Sequence, residues 1–325
     1  MNVVRNTVYL RVITPVFAAM PAWLAYGLAL LYADARIRLD KFRRQEAVLC
    51  IRHVLGPQLK AGNEETIARD YFRNRACIRV DAMRLSGDGR RLTQLVAVRG
   101  LESIQESLAQ GRGVVVCGAH YGSARACAAV MGVFGLPVTM IARWAFMPDR
   151  LHPWKPQKFY QFAWKPIEHH LWRRNIEARP NSLTDALEAA SILRQNEVVY
   201  TLLDSETYGK ARARAVELNF LNGRISILPG AATLARLVGS SVHVAVLRRS
   251  SNWRSLLLEV YPNVPFSDKD SVVLQTCISI LEREIRRDPS QWELWKMRTL
   301  VRLGLYPEDQ AMAYYRDKNR KWDKL

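Results

Sequence analysis

No charged residue occurs from Val12 to Ala33, and beyond that run the chain alternates between two textures. In one, apolar residues recur three or four positions apart among charged ones, as at Ile67, Tyr71, Phe72 and Cys77. That period predicts helices over 45–59, 64–85, 101–110, 124–130, 183–193, 229–238 and 274–287. In the other, short runs rich in branched residues stand between glycine, proline or polar breaks, at 114–116, 136–142, 198–203, 241–248 and 256–261. Runs apolar on both faces suit strands buried inside a parallel sheet. Strands alternating with helices predict an α/β fold, a largely parallel or mixed sheet flanked by helices. Ser250 to Asn252 separates the last two runs closely enough for a hairpin.

The uncharged opening run has about the length that crosses a bilayer. Pro15 and Pro21 would kink it, while Trp23, Tyr26 and Tyr32 favour a membrane interface. No small-residue cleavage site succeeds it, so a removed signal peptide is disfavoured. Arg36, Arg38, Lys41, Arg43 and Arg44 come next, a basic flank that keeps the remainder of the chain in the cytoplasm against anionic lipid. The expectation is an N-terminal membrane-associating helix, spanning or lying in one leaflet; the competing reading packs it on the protein's own core. The expected divisions are 1–45 for the anchor and its basic flank, 46–305 for the α/β body, and 306–325 for a basic tail.

Composition narrows the partners. At 325 residues, 49% hydrophobic and 24% charged, the chain is a folded globular protein. A net charge of +18 calls for an anionic partner: nucleic acid, anionic lipid or an acidic carrier protein. Nucleic acid is disfavoured, because no recognisable binding module accompanies the charge. The five cysteines are scattered without a Cys-x-x-Cys pair, which speaks against zinc and disulfides and for a reducing compartment. No dinucleotide fingerprint or P-loop is present, and no metal or organic cofactor is implied.

The chemistry concentrates at Gly113-Val-Val-Val-Cys-Gly-Ala-His120-Tyr-Gly-Ser-Ala-Arg125. A β-branched run ends in glycine and presents a histidine where a helix begins. Open α/β sheets place their sites at this strand edge, and imidazole is the side chain best suited to take a proton near neutral pH.

Further segments come in order: Ile141-Ala-Arg143, Leu202-Leu-Asp204-Ser-Glu-Thr-Tyr-Gly209, Phe220-Leu-Asn-Gly223, Leu228-Pro-Gly230 and Asp288-Pro-Ser-Gln-Trp292-Glu-Leu-Trp295. The series resembles the lipid A biosynthesis lauroyl/myristoyl acyltransferases, a branch of the lysophospholipid acyltransferase superfamily, from the apolar start to about Arg298. The resemblance implies transfer of a fatty acyl chain from acyl carrier protein or acyl-CoA to a hydroxyl of a lipid or glycolipid. It would act on the cytoplasmic face of a bacterial-type inner membrane. A non-catalytic accessory protein that keeps the fold is the alternative. The resemblance makes His120 the general base and Asp204 the aspartate of an Asp-x-x-x-x-Gly segment ending at Gly209. Arg143 would sit near a phosphate, with Gly122, Arg125, Glu206, Tyr208 and Arg214 around the substrates. Phe220 to Gly223 and Pro229-Gly230 would form an acyl-binding turn and a helix start. Trp292 and Trp295, three apart, read as one packed helical face without chemistry.

The family motif is His-x-x-x-x-Asp/Glu, and here the fifth position after His120 is Arg125. A guanidinium cannot accept a hydrogen bond from the ring, and its charge lowers the ring's proton affinity. Three readings stay open. Another acid substitutes, Asp204 or Glu206; or His120 works unaided; or the chain keeps the binding site without the reaction.

Overall fold

The computed structural model describes residues 12–56, 59–60, 62–85, 88–142, 169–171, 176–177, 183–205 and 213–320. The apolar opening run is two helices, α1 (Thr14–Ala19) and α2 (Ala22–Leu39), rather than one. Met20 between them is extended, and Pro21 supplies no N–H to continue the ladder. The second helix then takes in Asp34, Arg36 and Arg38. Among the described residues no helix is long and apolar enough to cross a membrane.

Small residues let α2 pack closely on the protein itself. Ala25, Ala29 and Ala33 are buried with Tyr26 against Ala76, Cys77 and Val80 of a long helix. Asp40 closes α2 and caps α3 (Lys41–Leu55) by accepting from the Arg43 amide at 3.1 Å. The long helix is α4 (Asn63–Arg84). The Tyr26 hydroxyl donates to Asp81 on α4 at 2.7 Å, and Asp81 is paired with Arg249, both fully buried.

Arg249 belongs to the main sheet. Its strands are β1 (Val96–Arg99), β2 (Val114–Gly118), β3 (Val138–Ala142), β4 (Ile176–Glu177), β5 (Val198–Leu202), β8 (Ser241–Arg249) and β9 (Leu256–Val260). A separate antiparallel hairpin pairs β6 (Val216–Phe220) with β7 (Gly223–Ile227). The main order is β1-β9-β8-β2-β5-β3-β4, and every neighbouring pair is parallel except β8 with β9. The antiparallel pair is the hairpin expected around residues 250–252.

Helices cover both faces: α5 (Arg90–Thr93), α6 (Leu101–Ala109), α7 (Ala124–Val133), α8 (Leu183–Arg194), α9 (Gly230–Val238) and α10 (Asp270–Arg287). Val114 and Val116 face the core that holds Ile104 of α6 and Ala126 to Met131 of α7. Val115 and Cys117 face the opposite core, with Ala189 of α8, Ala235 of α9, Cys277 of α10, and Ile51 and Tyr71 of α3 and α4. Alternate residues of β2 therefore enter different cores, which is why the strand reads as an unbroken apolar run. The chain closes with a 3-10 turn (Pro289–Gln291), α11 (Met297–Leu303) and α12 (Glu308–Asp317). Phe42 of α3 stacks on Tyr314 and meets Tyr315 edge-on, both at 5.3 Å, fixing α12 against the amino-terminal helices.

Candidate active site

Parallel register brings the two central residues together. Gly118 of β2 lies opposite Leu202 of β5, and the Leu203 amide donates to the Gly118 carbonyl at 2.9 Å, extending the ladder by one rung. His120 and Asp204 each stand two residues beyond that pair. The His120 amide donates to both Asp204 carboxylate oxygens at 2.9 Å, and His120 Nδ1 lies 2.8 Å from Oδ1. Trp292 Nε1 donates to Oδ2 at 2.8 Å. The Asp204 side chain is fully buried, and three N–H groups converge on it. All three bonds are of the kind a carboxylate accepts.

An ionised carboxylate can only accept, so the ring proton sits on Nδ1 and Nε2 carries the lone pair. The His120 side chain remains 20% exposed. Burial lowers its pKa, but the charge of Asp204 and its hydrogen bond outweigh burial and raise it above the ordinary histidine value. Arg125 pulls it down and Glu293 up by smaller amounts.

The loop carrying His120 is clasped by a distant segment. Gly122 has φ +60°, and a Cβ there would lie 2.1 Å from the Leu247 carbonyl oxygen, so only glycine fits. Its amide donates to the Gln291 carbonyl at 2.9 Å, the Ser123 amide to that of Leu247 at 2.8 Å, and the Glu293 amide to that of His120 at 2.7 Å. Gln291 is itself fixed to β8: its side-chain amide donates to the Arg249 carbonyl at 2.8 Å, and its side-chain oxygen accepts from the Arg249 amide at 2.6 Å.

Of the remaining residues singled out in the sequence, Gly122 has its amide committed to Gln291. Arg125 lies in the first turn of α7, 3.7 Å from the Glu293 carboxylate. Arg214 is exposed on the turn before β6, and among the described residues it makes no hydrogen bond to His120 or Asp204. Arg143, Glu206 and Tyr208 lie outside the described residues. Leu221 and Asn222 form the turn of the β6–β7 hairpin, while Pro229 does start a helix. Among the described residues, no group of three His, Cys, Asp or Glu side chains is placed to hold a metal ion.

Gln291, Trp292 and Glu293 were missed by sequence reasoning. The spacing of Trp292 and Trp295 suggests a helical face, whereas Trp292 follows a 3-10 turn in extended backbone and meets Trp295 edge-on at 4.8 Å. Only an indole N–H with no helical neighbour to serve hinted at a distant acceptor.

Comparison with known proteins bears on this arrangement. The sequence pattern described as bacterial lipid A biosynthesis acyltransferase matches residues 6–300. The chain is 23% identical over 262 residues to the lipid A biosynthesis palmitoleoyltransferase of Escherichia coli (strain K12), covering 79% of this chain and 77% of that protein. Identity and coverage are the same with the lipid A biosynthesis acyltransferase of Shigella flexneri.

Proposed function

The chain belongs to the bacterial lipid A biosynthesis acyltransferase family, and from that premise we propose that it moves a fatty acyl chain from a carrier thioester to a hydroxyl of a lipid or glycolipid, with His120 as general base. One observation carries the proposal: Asp204 bonds Nδ1 of His120, which leaves Nε2 as the unprotonated nitrogen. Asp204 supplies the carboxylate that the fifth motif position lacks, and this favours an enzyme over an accessory protein. Nε2 takes the acceptor hydroxyl's proton as its oxygen bonds to the thioester carbonyl carbon. The carbon–sulfur bond then breaks, and the departing thiolate takes the proton back from the imidazolium. Asp204 holds the ring in the right tautomer and stabilises the transient cation, the division of labour seen wherever a buried carboxylate backs a catalytic histidine. The donor is acyl carrier protein or acyl-CoA, and the strongly basic chain suits an acidic carrier.

The protein works at a membrane surface, with α2 lying along it. Trp23, Leu31, Tyr32 and Leu39 are 62%, 67%, 52% and 86% exposed on that helix, and Arg36 and Arg38 stand in its last turn. Exposed aromatic and aliphatic side chains beside basic ones suit the headgroup level of a membrane. His120→Ala should lower acyl transfer on the order of 100- to 10,000-fold in an assay with purified protein, acyl donor and lipid acceptor. Unchanged turnover would refute the assignment.

A further inference from the structure

We infer that the groove between α2 and α4 binds the phosphate of an anionic membrane lipid. The inference rests on the membrane-surface reading above but concerns a separate place: among the described residues, none of those lining the groove bonds His120 or Asp204. Ala33 of α2 and Phe72 and Ala76 of α4 form its buried floor. Tyr32 and Arg36 of α2 and Arg75 and Arg79 of α4 stand around it. The enclosed space is about 20 Å³, room for one oxygen-sized group. A phosphate therefore lies across the mouth, one oxygen inward and the others toward the guanidiniums.

The carboxylates of both helices are spent on other cations. α2 carries a single acid, Asp34, and both its oxygens accept from Arg73, at 2.8 and 2.7 Å. α4 carries Glu64, Glu65, Asp70 and Asp81, which pair with Arg52 at 2.6 Å, Arg44 at 2.9 Å, Arg73 at 3.3 Å and Arg249. Asp40, one turn beyond Arg36, caps α3, and Glu293 attracts Arg75 without an ion pair. Among the described residues Arg36, Arg75 and Arg79 therefore form no ion pair. Neutral phenols hold them instead. Arg36 donates to the Tyr32 hydroxyl at 3.5 Å, with Arg79 beside the same oxygen. Arg75 donates to the Tyr71 hydroxyl at 3.2 Å and lies 5.5 Å from the centre of that ring. A phenol orients a guanidinium without cancelling its charge. Three guanidiniums from two helices thus meet at one groove with N–H groups left over, which is the chemistry that recognises phosphate.

A lipid is favoured over a free phosphate by what adjoins the groove. Leu28, Tyr32 and Arg36 stand at steps of four along α2, so one stripe runs from exposed apolar surface to the guanidiniums. A headgroup held there would lay its chains along Leu28, a contact that a free phosphate cannot use.

The test uses full-length protein with vesicles of phosphatidylcholine alone or mixed with phosphatidylglycerol, and with inorganic phosphate. Wild type should bind both vesicle types and prefer the mixed ones. Arg75→Gln with Arg79→Gln leaves the apolar face of α2 intact. It should lower affinity for the mixed vesicles by about tenfold or more while keeping that for phosphatidylcholine. Arg112→Gln with Arg194→Gln, the same charge change at two exposed positions just before β2 and β5, should keep the preference. Arg79, the more exposed of the groove pair, is replaced alone if the double variant does not fold, with an expected loss of about fivefold. Equal losses in the two pairs, or no loss in the groove variants, overturn the inference. Saturable binding of inorganic phosphate that needs Arg75 and Arg79, without vesicle preference, overturns the lipid as source. Wild type that binds both vesicle types equally refutes the groove alone; wild type that ignores both refutes the membrane reading.

Discussion

Asp204 holds His120 through the backbone and through the ring at once, so orientation and charge can be separated by substitution. Asparagine in its place keeps an oxygen for the amide or for Nδ1 but removes the anion that favours the imidazolium. Asp204→Asn should lower turnover on the order of 100- to 10,000-fold, as for other carboxylates behind a catalytic histidine. The residual activity carries a second, more selective signature. A general base must be neutral, so with His120 in the proposed role activity rises with pH through its pKa, which Asp204 holds above the ordinary histidine value. In Asp204→Asn the acidic limb of the pH–rate profile should move to lower pH. Arg125→Glu should move it the other way, because a charge that depresses the pKa is replaced by one that raises it. A limb that stays put in both variants would mean that another group sets the profile. The same shift has a linkage consequence. The raised folded pKa adds stability below the unfolded value, and that contribution is lost as pH rises through the folded value.

At the scale of elements, the site depends on two parallel strands of matched length and on one glycine that lets the chain turn between them and α7. Gly122→Ala combines a left-handed backbone with a Cβ driven into the Leu247 carbonyl. It should cost about 2 kcal/mol or more in denaturant unfolding and slow turnover in the protein that still folds. A stable variant of full activity would show that the turn relaxes freely. The central strands were legible in the sequence because burial on both faces leaves no polar position in 114–116 or 198–200. Edge strand β1 was not, since three of its four residues are exposed and nothing marks them as paired. The β6–β7 hairpin does carry the alternation of a half-buried strand, with Leu218, Phe220, Ile225 and Ile227 inward, but each of its strands is only five residues long. The place of His120 could be read from the strand before it. The bonds from Trp292 to Asp204 and from Gly122 to Gln291 could not, for they join residues 88 and 169 positions apart that no local pattern relates.

Taken whole, the molecule ties its amino-terminal helices, sheet and final segments into one body through buried charge. Arg249 of β8 meets Asp81 and Asn74 of α4, and Tyr26 of α2 joins the same group. Lys296 is a place where this charge works against the fold. Repulsion from Arg75 and burial lower its pKa to about 7, only partly offset by Glu293 and Glu46. Between about 7 and the ordinary lysine value the unfolded chain holds a proton that the folded chain has shed, so stability rises with pH across that window. Lys296→Met should raise Tm, more at about pH 6 than at about pH 9, and flatten the dependence between them. A lower Tm at both would mean that the amine is needed by its acidic neighbours.

The clasp at 289–293 also sets an order of events during synthesis. A nascent polypeptide that has already produced His120 and Asp204 still lacks the indole and the carbonyl that fix their loop. The loop of the proposed dyad lacks these contacts until Glu293 has been added and has left the ribosome. A truncated product ending earlier would carry the proposed base without the grip that aims it.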